Sequence, residues 1–249
     1  MQPDKNLLKN NFITSCPYYP RHARVQKKMA ARLLNLLKLH SGCSFPTVFE
    51  AGCGTGFFTG ELLSLDYTRF FVNDLAAEFA SLITKLSPGI VFIAGDAENR
   101  AIYPENIDLL ASNAAVQWFH DLEAWCRLTH SLLNHNGVLC FSTFGPDNLQ
   151  EFGNIPEKLQ YYPAETLRSM FGKLFVPVCL LEEYFIMEFK TAAQVLAHLK
   201  KTGVNSLQKG LMGKKKLAAV SETLAASSKK PGCFTLTYNP IYCIFRKNN

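Results

Sequence analysis

Two hydrophobic spacings alternate along the chain and predict an α/β protein. Short, continuous apolar runs such as residues 90–94 and 138–144 are typical of strands that are buried on both faces. Between these runs, apolar residues recur at every third or fourth position, as in a helix that packs on one side. Five predicted strands (48–51, 69–73, 90–94, 107–111 and 138–144) alternate with predicted helices over 57–65, 75–86 and 122–133. Strands separated by helices usually pair in parallel, so this order predicts a doubly wound sheet.

Further elements flank this core on both sides. A stripe formed by Val25, Met29 and Leu33 predicts an N-terminal helix before the first strand. After the fifth strand the periodicity weakens, and we expect a helical insertion there. The predicted elements are helices at 147–152, 163–171, 192–201 and 214–227, a strand within 175–189, and a closing strand or strand pair at 234–238 and 241–245. Two strands added after the fifth complete a mostly parallel, seven-stranded sheet.

A glycine-rich turn follows the first predicted strand. Gly52, Gly54 and Gly56 stand at alternate positions, so the backbone can turn tightly and approach a ligand closely. Their spacing differs from the G-x-G-x-x-G pattern that places a pyrophosphate on a helix N-terminus. Glu50, two residues before the first glycine, suits a cationic ligand better than a polyanion. A turn without a ligand is the alternative interpretation.

Two aspartates follow the next two predicted strands. Asp74 ends the second strand, where a carboxylate is placed to accept both hydroxyls of a ribose. It is equally typical of an N-cap for the helix predicted at 75–86. Asp96 follows the third strand and can accept the amino group of an adenine. With the glycine turn, the two carboxylates predict an adenosyl ligand at the carboxyl ends of the strands.

Composition narrows the class of protein. The chain has 249 residues, 48% hydrophobic and 18% charged, with a formal net charge of +6, so we expect an ordered domain. We find no apolar run long enough for a membrane span and no signal peptide, and expect a cytoplasmic protein that does not bind membranes. The eight cysteines form no C-x-x-C pair and suggest free thiols in a reducing compartment. The histidines lack metal-ligand spacing, so we expect no metal and place them at the surface or at helix caps.

Lysines concentrate near the end of the chain. Lys214, Lys215 and Lys216 could contact an acidic protein partner or nucleic acid. A solvated helix face is the alternative interpretation. We find no motif for chemistry on nucleic-acid bases, and therefore expect no nucleic-acid partner.

The motifs in this order resemble class I S-adenosylmethionine-dependent methyltransferases across roughly residues 20–145. Several separate stretches resemble more specifically the malonyl-acyl-carrier-protein O-methyltransferase family. They are Tyr19-x-x-x-Ala23-x-x-Gln26, the run from Ser112 to Trp118, and residues 142–145, 198–205 and 236–238. Pro20 departs from the polar residue usual in the family and leaves the local N-terminal geometry in question.

The resemblance implies S-adenosylmethionine as the cofactor and the free carboxylate of a malonyl thioester, on acyl-carrier protein or coenzyme A, as the methyl acceptor. The product would prime pimelate and biotin synthesis. We expect a single Rossmann-like domain made of a helical lid (1–45), a cofactor-binding core (46–145) and a substrate-side insertion with closing strands (146–249). The residues implied to bind cofactor are Glu50, Gly52, Gly54, Gly56, Asp74, Leu75, Asp96, Ala97 and Asn113. Those implied to contact substrate are Tyr19, Gln26, Gln117 and Trp118.

The implied reaction needs no catalytic side chain, because the substrate carboxylate is already an anionic nucleophile and proximity can supply much of the rate. A pairing cation would come from Arg21, Arg24 or Arg168, and the sequence does not choose among them. Trp118 could instead be plain core packing, and Tyr19 could simply anchor its helix. The alternative functions are another class I methyltransferase acting on a small carboxylic acid or nucleic acid, or a non-catalytic cofactor-binding scaffold.

Overall fold

A computed structural model describes residues 2–153, 159, 161–203, 222–224 and 233–248 of the chain. Its main feature is a seven-stranded sheet with the strand order β3-β2-β1-β4-β5-β9-β6. The strands are β1 (Thr47–Ala51), β2 (Arg69–Asp74), β3 (Ile90–Ala94), β4 (Ile107–Asn113), β5 (Leu133–Phe144), β6 (Phe175–Glu182), β7 (Phe185–Phe189), β8 (Phe234–Tyr238) and β9 (Pro240–Lys247). The first five strands pair in parallel, and β9 runs antiparallel between β5 and β6. The predicted doubly wound, mostly parallel seven-stranded sheet is confirmed.

Helices cover both faces of this sheet. They are α1 (Lys5–Ser15), α2 (Tyr19–His22), α3 (Arg24–Ser41), α4 (Phe57–Leu62), α5 (Ala80–Leu86), α6 (Leu122–Leu132), α7 (Ala164–Phe171) and α8 (Ala192–Lys201). Consecutive strand residues point to opposite faces, so Val48 belongs to the core under α3 to α5, and Phe49 to the core under α6 and α7. All five residues of β1 are buried, as expected of a strand between two helical layers.

The C-terminal strands are arranged differently from the prediction. The segment predicted to contain one strand holds two, β6 and β7, and these strands belong to different sheets. Of the two predicted closing strands, β8 pairs with β7 in a separate two-stranded sheet, and β9 joins the main sheet beside β6. The carboxylate of Glu151 accepts a hydrogen bond from the main-chain N–H of Thr237 at 3.0 Å and so attaches the small sheet to the loop after β5.

Two local predictions need correction, and a third lies mostly outside the described residues. The helix predicted at 75–86 begins as a 3₁₀ turn at Ala77–Phe79, and its α-helical part starts only at Ala80. The helix predicted at 147–152 is reduced to a 3₁₀ turn at Gln150–Phe152. In the helix predicted at 214–227, only residues 222–224 are described, and they are helical.

No helix in the described ranges combines the length and the apolar character needed to cross a membrane.

Candidate functional site

A deep pocket opens where the strand order reverses between β1 and β4. Such a switch point leaves a crevice outside the carboxyl ends of parallel strands, since the connections run to opposite sides there. The pocket has about 980 Å³ of empty space, a figure that includes the open solvent at its mouth. Loops after the first four strands form its floor, and α1 and α2 form part of its walls.

Most residues predicted for the site do line this pocket. They are Tyr19, Gln26, Glu50, Gly52, Gly54, Asp74, Leu75, Asp96, Ala97, Asn113 and Trp118. Gly56 and Gln117 are not part of its lining. An added Cβ at Gly56 would lie 2.6 Å from Leu86 Cδ1, so this glycine permits close packing between α4 and α5.

Gly52 brings the backbone of the turn against the opposite wall. Its φ of +74° lies in the left-handed region that favours glycine. A Cβ at this position would come within 2.5 Å of the Ala115 side chain, a distance that real Cβ atoms essentially never show. Any larger residue would therefore strain the turn and narrow the pocket at the end of β1.

Glu50 presents an unpaired carboxylate oxygen beneath the glycine turn. The residue is 0% exposed, and its Oε2 accepts a hydrogen bond from Thr59 Oγ1 at 2.6 Å. Its Oε1 has no hydrogen-bond partner among the described residues. Burial raises the pKa of this carboxyl to about 8, and the neighbouring Asp74 adds to the shift. A cationic group at Oε1 would stabilise the ionised form.

Asp74 joins the first two loops of the pocket. Its Oδ2 accepts from the Gly54 N–H at 2.8 Å, and its Oδ1 accepts from the Ala76 N–H at 2.9 Å. It does not cap α5, because that helix begins six residues later. Burial raises its pKa to about 6 despite these hydrogen bonds. Each carboxylate oxygen has a second lone pair, so two hydroxyl donors can still be accepted.

Asp96 meets a cation that the sequence reasoning missed. Lys5 Nζ lies 2.6 Å from Asp96 Oδ2 and also pairs with Glu98. Asp96 Oδ1 accepts from the Glu98 N–H at 3.0 Å. Lys5, Leu8 and Phe12 bring α1 across the pocket. The polar sequence around Lys5 has no apolar periodicity that could have indicated this position.

A second, smaller chamber of about 390 Å³, open solvent included, shares part of its lining with the pocket. Phe12, Tyr19, Gln26, Ala114 and Trp118 line both spaces, and the new part includes Gln117, Phe144, Asn148, Leu149, Leu159, Tyr161, Thr202 and Tyr238. Gln117 Nε2 donates to the main-chain oxygen of Ala114 at 2.6 Å, and its buried Oε1 has no partner among the described residues. The predicted substrate-side residues therefore lie around this chamber, with neutral polar groups and aromatic rings.

The candidate arginines do not line either space. Arg21 and Arg24 face a separate groove, and Arg168 pairs with Glu165 on the exposed side of α7. Lys214, Lys215 and Lys216, predicted to face an acidic partner, lie outside the described residues.

Asn113, Tyr19 and Trp118 each also have a packing role. Asn113 Oδ1 accepts from Ser142 Oγ at 2.7 Å, and its Nδ2 donates to the main-chain oxygen of Gln26 at 3.2 Å. The Tyr19 ring stacks on Phe57 with centroids 5.8 Å apart. Trp118 is 7% exposed and packs with α1. Each of these three side chains thus contacts other parts of the protein and also lines the pocket.

Comparison with known proteins places this site in a family context. A family model described as a methyltransferase domain matches residues 49–141. A malonyl-[acyl-carrier protein] O-methyltransferase from Calditerrivibrio nitroreducens is 36% identical, over 96% of this chain and 96% of its own length. One from Haemophilus influenzae is 35% identical, over 98% of this chain and 95% of its own length.

Solved structures share the fold at much lower identity. The YcgJ protein of Bacillus subtilis superposes with a TM-score of 0.64 at 12% identity, covering 88% of this chain and 99% of its own. The N-methyltransferase NodS from Bradyrhizobium japonicum, in complex with S-adenosyl-L-homocysteine, gives a TM-score of 0.54 at 15% identity, covering 88% of this chain and 86% of its own.

Proposed function

The chain belongs to the malonyl-[acyl-carrier protein] O-methyltransferase family, and we propose that it carries out this methyl transfer across its two adjoining chambers. S-adenosylmethionine is the cofactor, and the larger pocket is its proposed site. The malonyl group of the thioester would occupy the smaller chamber, with its free carboxylate directed at the residues that line both spaces. The shared lining of the two spaces supports this arrangement, because it lets a donor and an acceptor meet.

The residues of the larger pocket fit this cofactor. The unpaired Oε1 of buried Glu50 suits a cationic group, and Gly52 leaves the space that a Cβ would fill. We assign the methionyl part to Glu50, Gly52 and Gly54, and the ribose to Asp74 with Leu75 beside it. Asp96 and the Ala97 N–H would hold the adenine. When bound, the cofactor supplies a methyl group activated by its attachment to a positively charged sulfur.

The neutral lining of the smaller chamber suits a carboxylate acceptor. Methyl transfer converts a carboxylate and a sulfonium into an uncharged ester and thioether, so charge disappears along the reaction. An arginine against the carboxylate would stabilise the ground state more than the transition state and slow the step. Neutral donors such as Gln117 and Tyr161 can orient the carboxylate without that cost. We therefore assign no general base and no pairing arginine to the described residues.

The remaining assignments concern the wider molecule. We propose that residues 1–45 act as the lid, 46–145 as the cofactor-binding core and 146–249 as the substrate side of one domain. The carrier-bound thioester is the favoured substrate, malonyl-CoA is a second acceptor, and nucleic acid is not a substrate. Asn113 Nδ2 donates a hydrogen bond to the main-chain oxygen of Gln26, and this contact would keep the lid in register with the core.

The test is direct. We expect the purified protein, incubated with S-adenosylmethionine and malonyl-acyl-carrier protein, to add the mass of one methyl group in place of a proton. Acetyl-carrier protein, which lacks the free carboxylate, is the matched control and is expected to stay unmodified. Cofactor binding without transfer to any malonyl thioester would favour another acceptor, and transfer to the acetyl form would overturn the carboxylate assignment.

A further inference from the structure

A basic groove lies beside the substrate chamber. It encloses about 770 Å³ between α2, the start of α3, β7 and α8. Its lining includes Arg21, Arg24, His22 and Lys201, with Glu188 as its one carboxylate. Arg21, Arg24 and Lys201 form no ion pair in the described part of the chain. The groove therefore carries positive charge that the fold itself does not neutralise.

The cations of the groove act on two histidines. Burial lowers the pKa of His22, and the positive charges of Lys201, Arg24 and Arg21 lower it further. His198 is buried, contrary to the predicted surface or capping position of the histidines, and burial lowers its pKa to about 4, helped by His22 and Arg24. For both histidines, positive charge of the groove thus adds to the effect of burial on the pKa. This positive charge would favour a negatively charged partner.

Neighbouring residues line the groove and the substrate chamber. Tyr19 lines the chamber, and Arg21 and His22 of the same short helix line the groove. On the other side, His198 Nε2 and Tyr238 OH are 2.8 Å apart, with His198 in the groove and Tyr238 in the chamber. A partner bound in the groove would therefore lie next to the proposed position of the malonyl group.

We propose that this groove is the docking surface for an acidic acyl-carrier protein that delivers the malonyl thioester. The inference rests on the proposed function, which requires a thioester carried by a protein through a phosphodiester-linked arm. Arginine suits both partners, because its planar fork binds carboxylates and phosphates in a bidentate manner. In this proposal Arg21 and Arg24, which line the groove and not the chamber, hold the carrier, and neutral groups of the chamber hold the malonyl carboxylate.

The test uses two substrates that differ in the carrier. Malonyl-carrier protein has both the acidic surface and the phosphate, whereas malonyl-pantetheine has neither. In the variant Arg21→Glu/Arg24→Glu/Lys201→Glu, we expect the KM for malonyl-carrier protein to rise at least about tenfold relative to that for malonyl-pantetheine. Lys85→Glu, at an exposed position of α5 away from the groove, makes the same charge change as Lys201→Glu alone and is the matched control for that single variant. An unchanged ratio of KM values in the triple variant, or the same change in Lys85→Glu as in Lys201→Glu, would overturn the proposal.

A second measurement does not depend on the folding of the triple variant. The KM of the unmodified protein for malonyl-carrier protein should rise with ionic strength, while that for malonyl-pantetheine stays nearly constant. The single variants Arg21→Ala and Lys201→Ala should each reduce that salt dependence, and a dependence as steep as in the unmodified protein would contradict the docking surface. If the protein methylates neither substrate, the proposed function itself fails. If it methylates both and the groove variants behave normally, only the docking surface fails.

Discussion

Glu50 shows how one buried side chain can connect ligand binding to pH. In the ligand-free protein its pKa is raised to about 8 by burial, so the carboxyl is mostly protonated at neutral pH. A cationic ligand favours the ionised form, and binding must then release a proton. The affinity for S-adenosylmethionine is therefore expected to increase as the pH rises towards 8.

The variant Glu50→Gln removes this linkage. Between about pH 6.5 and 7.5 the affinity of the unmodified protein should increase, by up to about tenfold per pH unit. The affinity of Glu50→Gln should be at least about tenfold weaker at the upper end and nearly independent of pH. Calorimetry in buffers of different ionisation enthalpy measures both the affinity and the released proton. Glu61→Gln, on the same helix as Thr59, is the control, and an equal pH dependence in Glu50→Gln would contradict the assignment.

Gly52 and Gly60 form a matched pair of glycines. Gly52→Ala places a Cβ 2.5 Å from Ala115 at a φ of +74°, and we expect it to lower the free energy of unfolding by roughly 1–3 kcal/mol. Gly60→Ala lies in α4, where an added Cβ meets nothing within 4 Å, and should raise that free energy by about 0.5–1 kcal/mol. Urea denaturation without ligand measures both. Equal effects would show that the turn tolerates a side chain.

At the scale of elements, α1 joins the pocket through Lys5. The ammonium of Lys5 bridges Asp96 and Glu98, and Lys9 adds a more exposed pair with Glu78 at 3.6 Å. Because Lys5, Leu8 and Phe12 all line the pocket, we expect this helix to move both when the cofactor enters and when it leaves. The ion pairs of α1 should therefore slow both steps.

Lys5→Met removes the charge and keeps the length of the side chain. We expect the dissociation and association rates of S-adenosylmethionine both to rise severalfold in stopped-flow measurements, because the helix opens more readily. Lys9→Met should have a smaller effect, because exposed ion pairs contribute little. A slower dissociation from Lys5→Met would mean that Lys5 competes with the ligand for Asp96 instead of closing the pocket over it.

The elements also divide into those that the sequence predicted and those that it did not. The strands β1 to β5 follow from local apolar runs, and so does the placement of Asp74 and Asp96 at their carboxyl ends. The pairing of β7 with β8 was not predicted, because Phe185 meets Tyr238 across a long stretch of intervening chain. Helix α1 is held by contacts with distant residues, namely ion pairs with the loops and packing against Trp118. Local periodicity contains neither kind of long-range information.

At the scale of the whole molecule, charged and neutral side chains are distributed differently between the two chambers and the groove. The larger pocket contains buried carboxylates, the smaller chamber has a neutral lining, and positive charge lies outside in the groove. We propose that these three regions serve the cationic donor, the anionic acceptor and the carrier. Donor and acceptor can meet only where the two linings join, around Tyr19, Gln26 and Trp118. In this arrangement the protein positions the two reactants, and the substrate supplies the nucleophile.

The pH dependence of the chemical step tests this division. Because the nucleophile is a substrate carboxylate that is ionised throughout, the single-turnover rate with saturating cofactor should be constant between about pH 6.5 and 8.5. It should also show no solvent deuterium isotope effect, since no proton moves in the step. Glu50 does not disturb this measurement, because the bound cation keeps it ionised. A rate that rises with an apparent pKa in this range, and that slows in deuterium oxide, would instead reveal a general base and contradict the proximity mechanism.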